Sequence, residues 1–269
     1  MKSPNLFILL FLLTFGSCLE KSPKDGASSS TTYISPSLSE DKLRKSNSWL
    51  EAVSSKDYDE IKAIYNNKAM KIFSSDSIVH GAAHIADYYQ NQLSEIVEGK
   101  SLFLTEANKK EGIDYELLTY KTKDSDEYVQ LVIWRLNNGK KVVEFEYAVK
   151  KDILNTDGNN DEISVKRNLW MKLCNAHNAK NLVSELYDPN AIYFNHKPLV
   201  IGTEAISKEY QYMDNDTYGL TLEPLKVEMA TDDVAFEIGQ CKGSYGGKYV
   251  IVWKKGAEGK WKVFIDSNF

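Results

Sequence analysis

Apolar and polar positions change their spacing along this chain in one order, and that order occurs twice. From residue 40, apolar side chains recur at helical spacing, as at Leu43, Leu50 and Val53, and a second predicted helix covers 61–65. A third predicted helix follows Gly81. Beyond it, apolar and polar residues alternate in the way that is typical of β-strands.

The first half of the chain predicts strands at 117–122, 128–136 and 141–149, with Asn137, Asn138 and Gly139 as a hairpin turn. The second half again places helical spacing before alternation, and it predicts strands at 220–229, 234–241, 248–254 and 260–266. Helices followed by strands in each half predict an α+β fold, in which the helices pack on an antiparallel sheet.

Single residues repeat at a nearly constant offset. The set Trp49, Tyr65, Ala69, Gly81, Ile85 and Tyr89 returns as Trp170, Tyr187, Ala191, Gly202, Ile206 and Tyr210. Such a register indicates two copies of one small domain. We expect a first repeat at 40–151 and a second at 163–269, joined by a polar linker at 152–162.

The first residues resemble a bacterial lipoprotein signal. Lys2 precedes an apolar run at 6–15, which is shorter than the ~20 residues that span a bilayer. Phe15-Gly16-Ser17-Cys18 resembles a lipobox, which implies cleavage after residue 17 and lipidation of Cys18. The alternative is an ordinary secretory signal followed by an incidental cysteine. Residues 18–39 are rich in Ser, Thr, Pro and Lys and predict a disordered tether.

These features predict a protein that is lipid-anchored in a bacterial cell envelope, with the membrane as a partner through Cys18. Leu19 stands where an aspartate would signal retention in the inner membrane, which favours the outer membrane if the cell has one. The net charge of -5 is spread along the chain without a basic stripe, so nucleic acid is not an expected partner.

The sequence contains no convincing motif for a metal or a cofactor, and we expect neither. His80 and His84 lack the glutamate of a metalloprotease pattern, and the stretch 157–161 lacks the glycine of a calcium loop. Cys174 and Cys241 both lie in apolar patterns, where they could pair outside the cytoplasm or remain buried thiols.

Four stretches of the second repeat resemble the nuclear-transport-factor-2-like superfamily, to which SnoaL-like polyketide cyclases and ketosteroid isomerases belong. They are Asn178-Ala179-Lys180-Asn181-Leu182, Tyr187-Asp188-Pro189-Asn190-Ala191, Gly202-Thr203-Glu204-Ala205-Ile206 and the last strand from Gly259 to Asp266. The resemblance implies two tandem cone-shaped domains, each with a curved sheet wrapped on helices and a pocket at the open end. It also implies pairing through the sheets, either in a homodimer or in an internal pseudo-dimer.

The same resemblance does not carry over the isomerase activity. The position of the catalytic base aligns near Asn195 in the second repeat and near Phe73 in the first, and neither can take a proton at neutral pH. The acid of the oxyanion hole would fall at 248–253, where no acidic residue stands. Trp170 and Trp49 align near the tyrosine of the first helix.

The remaining catalytic candidates are weak ones: Asp266 and Glu237 if they point into the cone, and His196 near its mouth. Glu144 and Glu146 alternate with apolar residues and are expected to face water. The candidates for the lining of a ligand pocket are Trp170, Tyr193, Asn195, Tyr210 and Trp253. These observations favour a non-catalytic module that binds a small apolar ligand or acts as a scaffold. The alternative is a lyase, isomerase or hydrolase acting on a small apolar substrate in the second pocket.

Overall fold

The computed structural model describes residues 40–151 and 160–269, in which the same succession of elements occurs twice. The first repeat consists of α1 (Glu40–Ser55), α2 (Tyr58–Ala63), β1 (Tyr65–Ser74), β2 (Ser77–His80), α3 (Ala82–Asn91), β3 (Ile96–Asn108), β4 (Ile113–Thr122), β5 (Glu127–Asn137) and β6 (Lys140–Lys150). The second repeat consists of α4 (Asn160–Cys174), α5 (Ala179–Leu186), β7 (Tyr187–Phe194), β8 (Val200–Ile201), α6 (Thr203–Glu209), a 3-10 helix (Gln211–Asp214), β9 (Leu220–Thr231), β10 (Val234–Gly243), β11 (Lys248–Lys255) and β12 (Trp261–Asn268).

The two sheets have one topology. Their strand orders are β2-β1-β6-β5-β4-β3 and β8-β7-β12-β11-β10-β9, with six strands in each. The predicted α+β class with two tandem repeats is confirmed. The sheets are mixed rather than wholly antiparallel, because the meander from β3 to β6 returns the chain beside β1 in the same direction. β1 is therefore parallel to β6, and β7 is parallel to β12.

Glycine and alanine recur in the two repeats for a backbone reason. Gly81 and Gly202 both have a φ of +88°, a left-handed backbone conformation that residues other than glycine rarely adopt. Each donates its N–H to the carbonyl of the repeated alanine, at 2.7 Å for Ala69 and 2.9 Å for Ala191. This glycine–alanine hydrogen bond closes the turn before α3 in the first repeat and before α6 in the second. The repeated spacing of glycine and alanine is therefore explained by a local hydrogen bond.

The predicted elements agree with the structure best where the pattern was long. The hairpin at 137–139 joins β5 to β6, and Asn138 and Gly139 have φ of 49° and 78°, as a tight turn of this type requires. The second predicted helix was placed too far along the chain: α2 ends at Ala63, and Tyr65 begins β1. Strands β1 and β3 were not predicted, and α4 begins at Asn160, inside the predicted linker.

The two repeats belong to one compact unit, and the faces of their sheets that point away from the helices pack against each other. This inter-sheet layer is made by Met70, Ile72, Ile113, Tyr115, Leu117, Val129, Leu131, Ile133, Phe145 and Tyr147 of the first repeat with Ile192, Phe194, Ala230, Val234, Phe236, Ile238, Val250, Val252, Phe264 and Ile265 of the second. At its centre Phe145 stacks on Phe194, with ring centroids 5.0 Å apart. Each repeat has a separate core between its sheet and its own helices.

The inter-sheet layer overturns one expectation about acidic residues. Glu146 was expected to face water because it alternates with Phe145 and Tyr147, but it is fully buried. The alternation is real, yet the apolar side faces the other sheet, and the polar side faces the helices of its own repeat. Glu144 is partly buried and pairs with residues described below.

Several predictions concern residues outside the described ranges: the signal peptide at 1–17, the lipidated Cys18, the tether at 18–39 and most of the linker. Within 40–151 and 160–269, none of the helices has the length and apolar character needed to cross a bilayer. Cys174 and Cys241 are both buried and both free.

We expect the inter-sheet layer to couple the unfolding of the two repeats. Phe145→Ala removes a ring that packs on Phe194 across the layer, so it should lower the free energy of unfolding by about 3–5 kcal/mol. The control Leu225→Ala, at a side chain that is 46% exposed, should lower it by less than about 0.5 kcal/mol. Both are measured by urea denaturation followed by circular dichroism. Equal effects of the two substitutions, or two separate transitions of which Phe145→Ala shifts only one, would contradict this coupling.

Candidate functional site

The tryptophan and the two tyrosines that mark the repeat converge on a buried carboxylate in the first repeat. Trp49 Nε1 donates to the hydroxyl of Tyr65 at 2.8 Å, and that hydroxyl donates to Glu146 Oε2, also at 2.8 Å. The hydroxyl of Tyr89 donates to the other oxygen, Oε1, at 2.8 Å. We call Trp49, Tyr65, Tyr89 and Glu146 the first acid network.

The second acid network consists of Trp170, Tyr187, Tyr210 and Asp266 in equivalent positions. Trp170 Nε1 donates to the Tyr187 hydroxyl at 3.1 Å, which donates to Asp266 Oδ2 at 2.5 Å. The Tyr210 hydroxyl donates to the same carboxylate oxygen. Asp266 is 3% exposed, and it is one of the residues that line the cavity described below.

Burial raises the pKa of Asp266 to about 6, although the hydrogen bonds from Tyr187 and Tyr210 act to lower it. Removal from water disfavours the charged form, whereas two phenolic donors favour it. Asp266 is therefore an acid that changes its charge slightly below neutral pH.

A second carboxylate of the second repeat, Glu237, is held by four donors. Arg167 contacts it through Nε at 2.5 Å and through a terminal nitrogen at 3.1 Å, and the hydroxyl of Tyr249 and Nε1 of Trp253 donate at 2.6 Å and 2.9 Å. The first repeat has a matching pair, in which Trp134 Nε1 donates to Glu116 at 2.7 Å. Because both oxygens of Glu237 accept hydrogen bonds from side chains of its own repeat, this residue has a structural role. The prediction that it could act as a pocket acid is wrong.

A cavity of about 290 Å³ lies in the second repeat. It is lined by Trp170, Tyr210, Tyr212, Met213, Tyr218, Leu220, Leu222, Cys241, Ser244, Tyr245, Tyr249, Ile251, Asp266 and Asn268. Of these residues, Ser244 and Tyr212 are exposed, whereas Trp170, Tyr210 and Asp266 of the second acid network are buried. Among the lining residues, all within the described ranges, Asp266 alone carries a charged side chain.

Two substitutions between the repeats explain why this space opens in the second one. Tyr120 follows Glu116 on β4 by as many residues as Cys241 follows Glu237 on β10, so Tyr120 and Cys241 hold equivalent positions in the two repeats. Tyr120 pairs with Tyr128 on the neighbouring strand, and their rings stack with centroids 4.9 Å apart. In the second repeat, Cys241 stands opposite Gly247. A thiol and a glycine thus replace two stacked rings. Burial raises the pKa of Cys241 to about 12, so its thiol is not a reactive group.

The predicted pocket residues divide into those that line the cavity and those that do not. Trp170 and Tyr210 line it as predicted. Tyr193 lies behind the wall, where its hydroxyl donates to Asn268 at 3.1 Å. Asn195 and Trp253 are not among the lining residues, and Trp253 is bound to Glu237 instead.

His196 does not reach the cavity, so the prediction that it lies near the mouth of the second cone is wrong. Its Nδ1 lies 2.7 Å from Oε2 of Glu144 in the first repeat, and Arg135 lies 2.8 Å from the other oxygen of that glutamate. Burial disfavours the charged form of Glu144, yet the contacts with His196 and Arg135 hold its pKa below the usual value. This cluster joins the two repeats at a groove of about 690 Å³, whose lining includes Met70 and Phe194 of the inter-sheet layer.

Sequence reasoning missed several lining residues, chiefly Tyr218 and Tyr249, and the role of Tyr187. The signal for Tyr187 was present, because its tryptophan and tyrosine partners repeat with it. What the sequence did not reveal was that both tyrosines donate to an acid on the last strand, and that the tryptophan donates to one of them. Among the described residues, no group of three or more His, Cys, Asp or Glu side chains is placed to hold a metal ion.

No protein-family model matches the chain, and no curated protein matches it. Several solved structures are similar to part of it. An NTF-2-like protein of unknown function from Shewanella oneidensis MR-1 is 13% identical, with a TM-score of 0.37, over 40% of this chain and 96% of that one. A domain of unknown function with a cystatin-like fold from Nostoc punctiforme is 15% identical, with a TM-score of 0.36, over 42% of this chain and 76% of that one.

A ketosteroid isomerase-like protein from Erwinia carotovora atroseptica is 12% identical, with a TM-score of 0.34, over 40% of this chain and 92% of that one. Each of these matches covers about as much of the chain as one repeat does. Most are the NTF-2-like and ketosteroid-isomerase-like structures that the sequence resemblance names.

We expect Asp266 to make the stability of the protein depend on pH. Its pKa is higher in the folded chain, at about 6, than the ordinary value of 3.8. The resulting stabilisation is complete below pH ~3.8 and is lost as the pH rises through ~6. The free energy of unfolding of the wild type, relative to that of Asp266→Asn, should therefore fall by up to about 3 kcal/mol between pH ~4 and pH ~7.

The measurement is urea denaturation of both proteins at the two pH values. Asp233→Asn, which removes an exposed carboxylate from a turn, controls for the loss of an aspartate elsewhere. A difference between wild type and Asp266→Asn that is the same at both pH values would show that burial does not perturb this acid.

Proposed function

We propose that the second repeat binds a small organic ligand in its cavity without transforming it. The observation that carries this proposal is the combination of an aromatic wall with one charged group, the buried carboxylate of Asp266. Ligand sites in proteins are typically concave, mainly apolar and supplied with a few polar groups that orient the ligand. The cavity volume of about 290 Å³ suits a compact ligand.

The positions of the candidate acids and bases support binding over catalysis. General acid–base chemistry needs groups within hydrogen-bond reach of the same substrate. Glu237 is engaged with Arg167, Tyr249 and Trp253, and His196 contacts the first repeat. Among the lining residues, Asp266 is thus the only carboxylate, and no histidine or lysine lies beside it.

Filling the cavity should abolish ligand binding. Cys241→Phe places a ring where the first repeat has Tyr120, whereas Cys241→Ala leaves the space open. We expect members of a panel of small aromatic alcohols, amines and carboxylates to raise the melting temperature of the full chain and of Cys241→Ala, but not that of Cys241→Phe. Ligand-observed NMR checks the binding directly. A panel whose members bind Cys241→Phe as well as the wild type would place the binding elsewhere and refute the proposal.

We further propose that this module is held at a bacterial cell envelope by a lipid on Cys18. The support comes from the sequence, where Phe15-Gly16-Ser17-Cys18 follows an apolar run. Two or three acyl chains on one cysteine would anchor the protein stably, because each buried CH2 contributes ~0.8 kcal/mol.

Metabolic labelling with an alkyne fatty acid tests the anchor. The full chain produced in bacteria should carry the label and sediment with membranes, and Cys18→Ser should do neither. Cys241→Ala, which removes a different cysteine, should behave like the wild type. An unlabelled wild type, or a label that survives Cys18→Ser, would rule out lipidation at this residue.

A further inference from the structure

We propose that the ligand of the second-repeat cavity is an organic cation, a small amine whose ammonium group pairs with Asp266. The proposal rests on the function proposed above and names the chemical class of the ligand. Its main support is the first repeat, where the equivalent carboxylate already has an ammonium partner within the chain.

In the first repeat, the ammonium is that of Lys71. Its Nζ lies 3.1 Å from Glu146 Oε1, and it donates a hydrogen bond of 3.0 Å to the hydroxyl of Tyr89. Aromatic rings surround it: the centroids of Tyr89, Tyr88 and Phe73 lie 4.7, 5.1 and 5.2 Å from Nζ. Lys71 is 1% exposed, and Glu146 is fully buried. The first acid network is therefore a finished ammonium site, with a carboxylate on one side and ring faces on the other.

The position of Lys71 is occupied by Tyr193 in the second repeat. Lys71 on β1 stands opposite Glu146 on the parallel strand β6, and Tyr193 on β7 stands opposite Asp266 on the parallel strand β12. The second repeat has thus kept the carboxylate and its two tyrosine donors but has lost the lysine. The Tyr193 hydroxyl turns to Asn268 and supplies no charge.

The lining of the cavity fits an ammonium and no other charge. Six of its side chains are aromatic, namely Trp170, Tyr210, Tyr212, Tyr218, Tyr245 and Tyr249. Ring faces attract cations, and the attraction grows where water is excluded. Within the described ranges no lysine, arginine or histidine lines the cavity, so an anionic ligand would meet Asp266 with no compensating charge.

Asp266 keeps bonding capacity for such a ligand. Tyr187 and Tyr210 both donate to Oδ2, and none of the described side chains donates to Oδ1. Burial raises the pKa of the acid to about 6, which still leaves it mainly ionised at neutral pH. A bound ammonium would offset the cost of burying that charge, as Lys71 does for Glu146.

Three probes of similar shape test the charge preference: phenethylamine, phenethyl alcohol and hydrocinnamate. Binding to the full chain is measured by ligand-observed NMR and calorimetry at neutral pH. We expect the amine to bind at least about tenfold more tightly than the alcohol, and the carboxylate not to bind, because only the amine carries a positive charge that forms an ion pair with Asp266.

Two variants connect this preference to the site. Asp266→Asn should weaken the binding of the amine at least about tenfold and that of the alcohol much less, since the side chain loses its charge but keeps its shape. Tyr193→Lys should place an ammonium inside the chain beside Asp266, as in the first repeat, and abolish amine binding. Glu204→Gln removes an exposed carboxylate on α6 and should change nothing.

The outcomes separate the two proposals. If the amine and the alcohol bind equally, and Cys241→Phe abolishes both, the cavity binds ligands without selecting for charge; this inference fails while the proposed function stands. If amine binding survives Asp266→Asn unchanged, the inference also fails. If none of the probes and none of the larger panel binds the wild type, both proposals fall.

Discussion

The face-to-face packing of the two sheets is the constraint from which the rest of the molecule follows. A sheet that packs helices on one face alone would leave its other face to water, and polar residues could alternate outward. Here the second face is covered by the inter-sheet layer, so both faces of the central strands are buried. Any carboxylate on those strands must then be supplied with donors from within the protein, because a buried charge without partners is strongly destabilising.

The two repeats satisfy this demand in different ways. Each keeps a carboxylate on its last strand with a tryptophan and two tyrosines around it. In the first repeat, Lys71 neutralises the charge, and Tyr120 and Tyr128 fill the space beside it. In the second repeat, Cys241 and Gly247 leave that space open, and the side chains that donate to Asp266 within the described part of the chain are both phenols. Among the described residues, the space next to the acid network is thus filled by two rings in the first repeat and belongs to a cavity in the second.

The sequence was sufficient for the architecture and for the repeat. Those predictions rest on local physics: helical spacing, strand alternation and the glycine whose left-handed φ begins the third helix. The register of Trp170, Tyr187 and Tyr210 predicted the duplication, but not that these side chains belong to one hydrogen-bond network. The failures came from long-range contacts. Glu146 was expected to be exposed to water, because the alternation along one strand does not show whether the second face of the sheet is covered by another element. Likewise, the cross-repeat contact of His196 with Glu144 depends on how the two repeats pack.

The difference between Glu237 and Asp266 shows why burial alone does not identify a functional acid. Both lie on strands of the second repeat, and both are almost inaccessible to water. Glu237 receives a bidentate guanidinium, a hydroxyl and an indole, so its charge and its hydrogen-bonding capacity are used within the protein. Asp266 has two donors on one oxygen and no basic side chain among the residues that share its cavity. A buried carboxylate whose charge and hydrogen bonds are satisfied within the protein contributes to the fold. One that lacks a positively charged partner is free to pair with a charged ligand. That distinction is the reason why we propose the second cavity, rather than the larger groove at His196, as the ligand site of this chain.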